Sequence, residues 1–334
     1  MLFVFSTASA LCADPVGIEI SPPMAAVVSL SHDRLLLGDT DGQLFQLRLN
    51  NGELERLLPP AGLPRNVDGA ALCASTTDGS RIAVAGTGGG TSVWTRQRDG
   101  YALHARVDIG GQRPLGLVFS TSGDRIAVWT IESEEAYASG RDCCSLWCVT
   151  LGKVALAREV ARGLSLLMDV TFSDDDGAVL VAGTDGAVRA LSITESDPNG
   201  SARVLRTQSV DQDGYCVMAA AGRHELIVAA QSEAGWMLRR LSAATFETLA
   251  ASPPAAGPVM CLSVSQTGDM VFAARGRQLD VYAGDGLVPL GSVKAAPAGF
   301  TITRVIEMSG GRRLAVCSFR EDSSHLRVVD VPEQ

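Results

Sequence analysis

Short runs of apolar residues separated by Gly, Asp and Ser recur along the whole chain, and no stretch shows the three-to-four residue apolar spacing sustained through a long amphipathic helix. In Leu35-Leu36-Leu37-Gly38-Asp39-Thr40-Asp41-Gly42-Gln43-Leu44-Phe45 an apolar strand meets a tight polar turn and a further strand follows. Ile82-Ala83-Val84-Ala85-Gly86-Thr87, continued by Gly88-Gly89-Gly90-Thr91-Ser92-Val93-Trp94, repeats the design, and Val179-Leu180-Val181-Ala182-Gly183-Thr184-Asp185-Gly186-Ala187-Val188-Arg189 matches the first copy most clearly. Taking the first core position of the repeated strand as a marker gives Leu35, Ile82, Ile126, Leu180, Leu226, Val271 and Leu314, with successive intervals of 47, 44, 54, 46, 45 and 43 residues. Those intervals lie close to the roughly 40–45 residues of a four-stranded propeller blade.

Seven such units fill the chain. Ahead of the markers stand Leu72-Cys73-Ala74-Ser75, Leu117-Val118-Phe119-Ser120, Val170-Thr171-Phe172-Ser173, Cys216-Val217-Met218-Ala219 and Leu262-Ser263-Val264-Ser265, whose side chains suit the crowded innermost strand of a blade. Ser122-Gly123-Asp124, Asp174-Asp175-Asp176-Gly177 and Thr267-Gly268-Asp269 then supply hairpin turns between first and second strands. The last unit, about 300–331, lacks a fourth strand. Leu2-Phe3-Val4-Phe5, within residues 2–12, is expected to supply it and close the ring, so that residues 1–334 form one domain.

The apolar N-terminus has no positive charge before it and is short, so it reads as a strand rather than a secretory signal. No other uncharged apolar run reaches the roughly 18 residues that span a bilayer, and no membrane insertion is expected. Composition agrees with a globular chain of many short elements: 334 residues, 46% hydrophobic and only 19% charged, with 35 Gly for turns. The net charge of −9 argues against direct binding of nucleic acid, which needs a cationic face to replace counterions. Eight cysteines form no CxxC pair. Cys73, Cys216 and Cys261 sit in apolar runs as small hydrophobes, while Cys143, Cys144 and Cys148 form the closest cluster, with Cys144 and Cys148 on one strand face and no evident fourth metal ligand. Free thiols point to an intracellular site, cytoplasm or nucleus.

The Gly-Asp-Thr-Asp-Gly-Gln-Leu-Phe-Gln-Leu and Ala-Gly-Thr-Asp-Gly-Ala-Val-Arg-Ala-Leu stretches resemble the turn and third strand of the WD40-repeat family, and the resemblance to a WD40-like propeller covers essentially the whole chain. The Trp-Asp dipeptide is absent, Val93-Trp94-Thr95 and Leu146-Trp147-Cys148 keeping only the Trp, and there is no Gly-His dipeptide. The family's His-Asp network therefore transfers to no blade. The resemblance implies an all-β, seven-bladed β-propeller acting as a non-catalytic protein–protein interaction scaffold in a hetero-complex.

Chemistry is sparse. His32, His104, His224 and His325 are scattered over different blades, with no His-carboxylate pairing of the kind a propeller hydrolase or lactonase would need. Asp39, Asp41 and the run Asp174-Asp175-Asp176 have calcium-ligand chemistry but read better as turn aspartates beside glycines. Gly86, Gly88, Gly89 and Gly90 precede no helix and read as a turn rather than a phosphate loop. Arg239-Arg240, Arg275 with Arg277, and Arg312-Arg313 read as solvated strand edges. No catalytic residue, cofactor or metal is expected. A ubiquitin-ligase substrate receptor, the alternative role, would bring an appended adaptor-binding element, whereas blades consume almost every residue here.

The 54-residue interval after Ile126 is the main irregularity. Its excess lies partly in an acidic loop, Glu132 to Asp142, between second and third strands of the third blade. Glu132, Glu134, Glu135, Tyr137, Arg141 and Asp142 are the candidate partner-binding residues: carboxylates to steer a basic peptide, and a Tyr to supply contact area.

Overall fold

A computed structural model describes residues 17–20, 24–31, 34–48, 53–56, 69, 71–88, 90–98, 100–139, 143–196, 202–209, 216–220, 224–265, 267–308, 313–320 and 323–330. They form seven antiparallel four-stranded sheets. Six are built from consecutive strands, spanning 24–56, 71–107, 113–164, 167–209, 216–251 and 261–294. The seventh takes three strands from 301–330 and its outermost strand from Gly17–Ile20, which pairs with Ser323–Asp330 in the register Gly17↔Arg327 to Ile20↔Ser324. The two ends of the chain thus share a blade. The closing strand lies C-terminal to the segment 2–12 to which the sequence pattern assigned it; that segment is outside the described residues.

The first strands meet in a cycle. Met24–Ser31 packs beside Ala71–Ser75, and the series continues through Arg113–Phe119, Leu167–Phe172, Cys216–Ala220, Cys261–Val264 and Thr301–Glu307 back to Met24–Ser31. The fold is a closed seven-bladed β-propeller whose first strands surround the channel.

Second strands explain the continuous apolar runs. Each lies inside its sheet and is covered on both faces by neighbouring blades, so consecutive residues are buried and strict alternation is lost. Ile82 and Val84 enter the apolar cluster shared with blade 1, whereas Ala83 and Ala85 enter the one shared with blade 3. Ile126 and Val128 face back and Ala127 forward. Leu226 and Val228 pack backward and Ile227 and Ala229 forward, and the same division separates Leu314 and Val316 from Ala315 and Cys317.

This packing corrects one marker. In blade 4 it is Val179 that faces back, in the cluster with Cys144 and Leu146, while Leu180 faces blade 5 with Leu226. Hairpin register agrees: Phe172↔Val179 corresponds to Phe119↔Ile126 and Val264↔Val271. The sequence itself carries no sign of the one-residue slip, because Val179-Leu180-Val181 is apolar throughout and buried on both faces.

Among the described residues no helix is long and apolar enough to cross a membrane.

Candidate functional site

Alternating strand direction puts the loops between second and third strands on the same face as the links between blades, here the connection face. First-to-second hairpins lie on the opposite, hairpin face. On the connection face the chain between Arg125–Ile131 and Cys144–Leu151 rises into a helix, α1 (Glu134–Ser139), where the sequence suggested an acidic loop. The helix has a local cause. Ser133 caps it, its Oγ accepting the Ala136 N–H at 3.1 Å and its carbonyl the Tyr137 N–H at 3.0 Å, and the Glu residues of the first turn favour a helix N-terminus.

Ala136 packs against the core cluster of blades 3 and 4, while Glu135 and Tyr137 are exposed, the Tyr by 42%. Glu134 belongs to the same turn. Glu132 acts differently: its carboxylate accepts the Ser145 hydroxyl at 3.0 Å and the Gly163 N–H at 3.1 Å, fastening the excursion to the third and fourth strands of its blade. Arg141 and Asp142 lie outside the described residues.

Hairpin-face turns use their polar groups internally. In blades 2, 3, 4 and 6 the hydroxyl of Thr76, Ser120, Ser173 or Ser265 accepts the N–H five residues on, at 2.9–3.1 Å. The Thr76 hydroxyl also donates to Asp78 at 2.7 Å, and with the Ser80 N–H it holds that carboxyl at about 2. Hydroxyls likewise lower Asp175, chiefly through Ser173, and Asp269, chiefly through Thr267.

The three-aspartate run divides its labour. Asp175 closes its own turn onto Ser173 and Gly177. Asp176 accepts the Thr121 and Ser122 N–H groups of blade 3 at 3.1 and 3.2 Å, and Asp174 takes the His224 backbone N–H and, at 3.0 Å, its ring Nδ1 from blade 5. Arg81 extends this belt by donating to the Gly123 carbonyl at 2.6 Å and Asp124 at 2.9 Å, as Arg125 does to the Asp176 carbonyl. Arg240, read from the sequence as a solvated strand edge, is instead held by Glu225 at 2.7 Å and by the blade 6 carbonyls of Gly284 and Asp285 at 3.1 and 2.7 Å. Arg275 is similarly buried against Asp280 and the Tyr282 hydroxyl. Local sequence cannot reveal such partners because they belong to neighbouring strands and blades.

No family model matches the sequence, and no curated protein does. Many solved structures share the fold. One is the crystal structure of the Myceliophteria thermophila Cps50 (Swd1) beta-propeller domain, with a TM-score of 0.68 at 12% identity, covering 96% of this chain and 100% of that one. At that identity the likeness is one of fold. The chain folds as a seven-bladed β-propeller.

Within this propeller the Trp residues find other partners than a Trp-Asp repeat would offer. The Trp94 indole donates to the Ser92 hydroxyl at 2.9 Å, and the Gln112 side-chain oxygen Oε1 accepts both the Trp147 indole N–H at 3.2 Å and the Thr130 hydroxyl at 2.5 Å. The described histidines do not converge. His104 is exposed on the outer strand of blade 2, His224 sits in a hairpin-face turn, and His325 is half-buried edge-to-face on Phe300; His32 is outside the described residues. Among the described residues no group of three or more His, Cys, Asp or Glu side chains is arranged to hold a metal, and Cys73, Cys143, Cys144, Cys148, Cys261 and Cys317 are free thiols. Burial pushes Cys73, Cys261 and Cys317 up to about 12 and Cys148 up to about 11, which leaves them protonated and poor nucleophiles near neutrality.

Proposed function

We propose that this WD40-like propeller is a non-catalytic interaction scaffold in a hetero-complex, and that its connection face receives a basic segment of a protein partner at α1. The observation that carries the reading is the α1 excursion itself: a capped helix anchored by Glu132 and Ala136 that displays Glu135 and Tyr137 to solvent. Rigid support lowers the ordering cost of binding, the Tyr offers contact area, and Glu134 and Glu135 supply steering toward Lys or Arg. On the hairpin face, by contrast, the charges of Asp174, Asp176, Arg81 and Arg240 are spent between blades. An overall charge of −9 supports protein rather than nucleic-acid partners, and free thiols support the cytoplasm or nucleus.

The test is affinity purification from the native organism with wild type and with the triple variant Glu134→Gln/Glu135→Gln/Tyr137→Ala, which leaves the Glu132 anchor intact. A partner with a Lys- or Arg-rich segment is expected to be depleted at least about tenfold. Recovery of the same partners at the same yield would exclude α1 as the contact. Absence of any partner at physiological expression would count against the scaffold role.

A further inference from the structure

The first strands of four blades are irregular near the connection face. Pairing registers shift between Met24 and Ala26, Pro114 and Gly116, Leu167 and Asp169, and Ile302 and Arg304. Such irregularities re-aim side chains, and the one in blade 7 leaves both Thr303 and Arg304 exposed. A cavity of about 200 Å³ opens there between blades 7 and 1, lined by Arg304, Thr303, Ser324, Phe319, Met24 and Cys317 among others. Phe319 is 40% exposed on a strand whose five preceding residues are buried.

Arg304 belongs to the innermost strand of blade 7, one of the first strands that surround the channel. Its charge opposes the burial-raised pKa of three thiols at once, Cys73 of blade 2, Cys261 of blade 6 and Cys317 of blade 7. The Asp169 carboxylate of blade 4 pushes Cys261 the opposite way, upward. Among the described residues no hydrogen bond or ion pair holds Arg304, in contrast to Arg81, Arg125, Arg240 and Arg275. An exposed, uncommitted Arg beside an aromatic ring and two hydroxyls, at the mouth of a cavity of side-chain size, has the chemistry of a carboxylate site with an apolar wall.

We propose that Arg304, Thr303 and Phe319 form a carboxylate-recognition site at the channel mouth, which takes an Asp or Glu side chain or a C-terminal carboxylate from an extended segment of a protein partner. Arg304 pairs with the carboxylate, the Thr303 and Ser324 hydroxyls donate to it, and the adjoining aliphatic stem lies on Phe319 and Met24. The site is separate from α1: blades 3 and 7 stand three apart the short way round, roughly 150° in a seven-fold ring. It therefore goes beyond the scaffold reading, and each can fail alone.

Fluorescence anisotropy on the full chain with four labelled peptides tests it. Two carry an internal Leu-Glu-Leu or Leu-Gln-Leu in a glycine frame with a blocked C-terminus; two end in Leu-Leu with a free carboxylate or an amide. The expected result is saturable binding of at least one carboxylate peptide, weakened about tenfold in its neutral counterpart. Which pair responds tells a side-chain carboxylate from a chain end. Arg304→Gln should lose the same factor and become indifferent to the swap, Arg304→Lys should recover part of it, and Phe319→Ala should weaken all binding. The α1 triple variant should bind these peptides as wild type does. Equal affinity for charged and neutral peptides, unchanged binding by Arg304→Gln, or no binding of either carboxylate peptide at about 1 mM would overturn the proposal.

Discussion

Asp174, Asp175 and Asp176 show how three identical neighbours acquire different work: one holds blade 5, one its own turn and one blade 3. The Asp-Gly pattern suffices to predict a turn, whereas the partners in adjacent blades lie about 50 residues away and leave no local trace. These turns carry a pH dependence. Thr76 and Ser80 hold Asp78 at about 2 against an ordinary 3.8, and Asp175 and Asp269 are lowered by their own hydroxyl partners. A folded carboxyl below its unfolded value means that the unfolded chain binds more protons as the solution is acidified. The contribution is full above about pH 4 and is lost as pH falls toward 2. Urea midpoints at pH 6 and pH 2.5 should show that loss, and Thr76→Ala/Ser173→Ala/Ser265→Ala should reduce the difference between the two. An unchanged difference would mean that other carboxyls set the acid limit.

Elements depend on how closely blades approach. Gly38 closes the second strand of blade 1, where an added Cβ would stand 2.2 Å from the Ala71 carbonyl oxygen of blade 2. Gly183, one position further along the second strand of blade 4, would meet the Ser165 hydroxyl at 2.6 Å and the Leu166 carbonyl at 3.0 Å. A glycine at the end of an apolar run thus reads locally as a turn signal, but its decisive constraint is the neighbouring backbone. Gly38→Ala is expected to cost about 1–3 kcal/mol by overpacking. Gly291→Ala, on an exposed outer strand with nothing within 4 Å of the new Cβ, should stay within about 0.5 kcal/mol of wild type. Chemical denaturation of both variants checks the contrast, and equal losses would locate the cost in the strand rather than between blades. Helix α1 was partly legible at this scale, since Ser133 before Glu134-Glu135-Ala136 is a capping sequence, yet only the Glu132 contacts show how it is anchored.

In the whole molecule, stability rests on closure. Gly17–Ile20 pairs with the third strand of the last blade, so removal of residues 1–20 leaves the Ser323–Asp330 edge bare. That deletion is expected to lower the thermal midpoint by several degrees, on the order of 1–3 kcal/mol, and to promote concentration-dependent association through the open edge. Differential scanning calorimetry with light scattering reads both, and an unchanged midpoint would show that the ring holds without the strand. The full chain is expected to melt as one domain in a single calorimetric transition; two resolved transitions would contradict that.

Period and turn chemistry, both local, determined seven blades and their second strands, because a blade's buried middle must be apolar and its hairpins need Asp, Ser and Gly. Register within an apolar run, as at Val179 and Leu180, was decided by packing against both neighbours, since every residue there is equally acceptable in sequence. The closing strand was decided by which N-terminal segment reaches the free edge. Tertiary structure alone decided the charges: it engaged Arg81, Arg125 and Arg240 between blades and left Arg304 at a cavity between blades 7 and 1, because an arginine's role depends on the distance to the next blade's oxygens, which no neighbouring residue encodes.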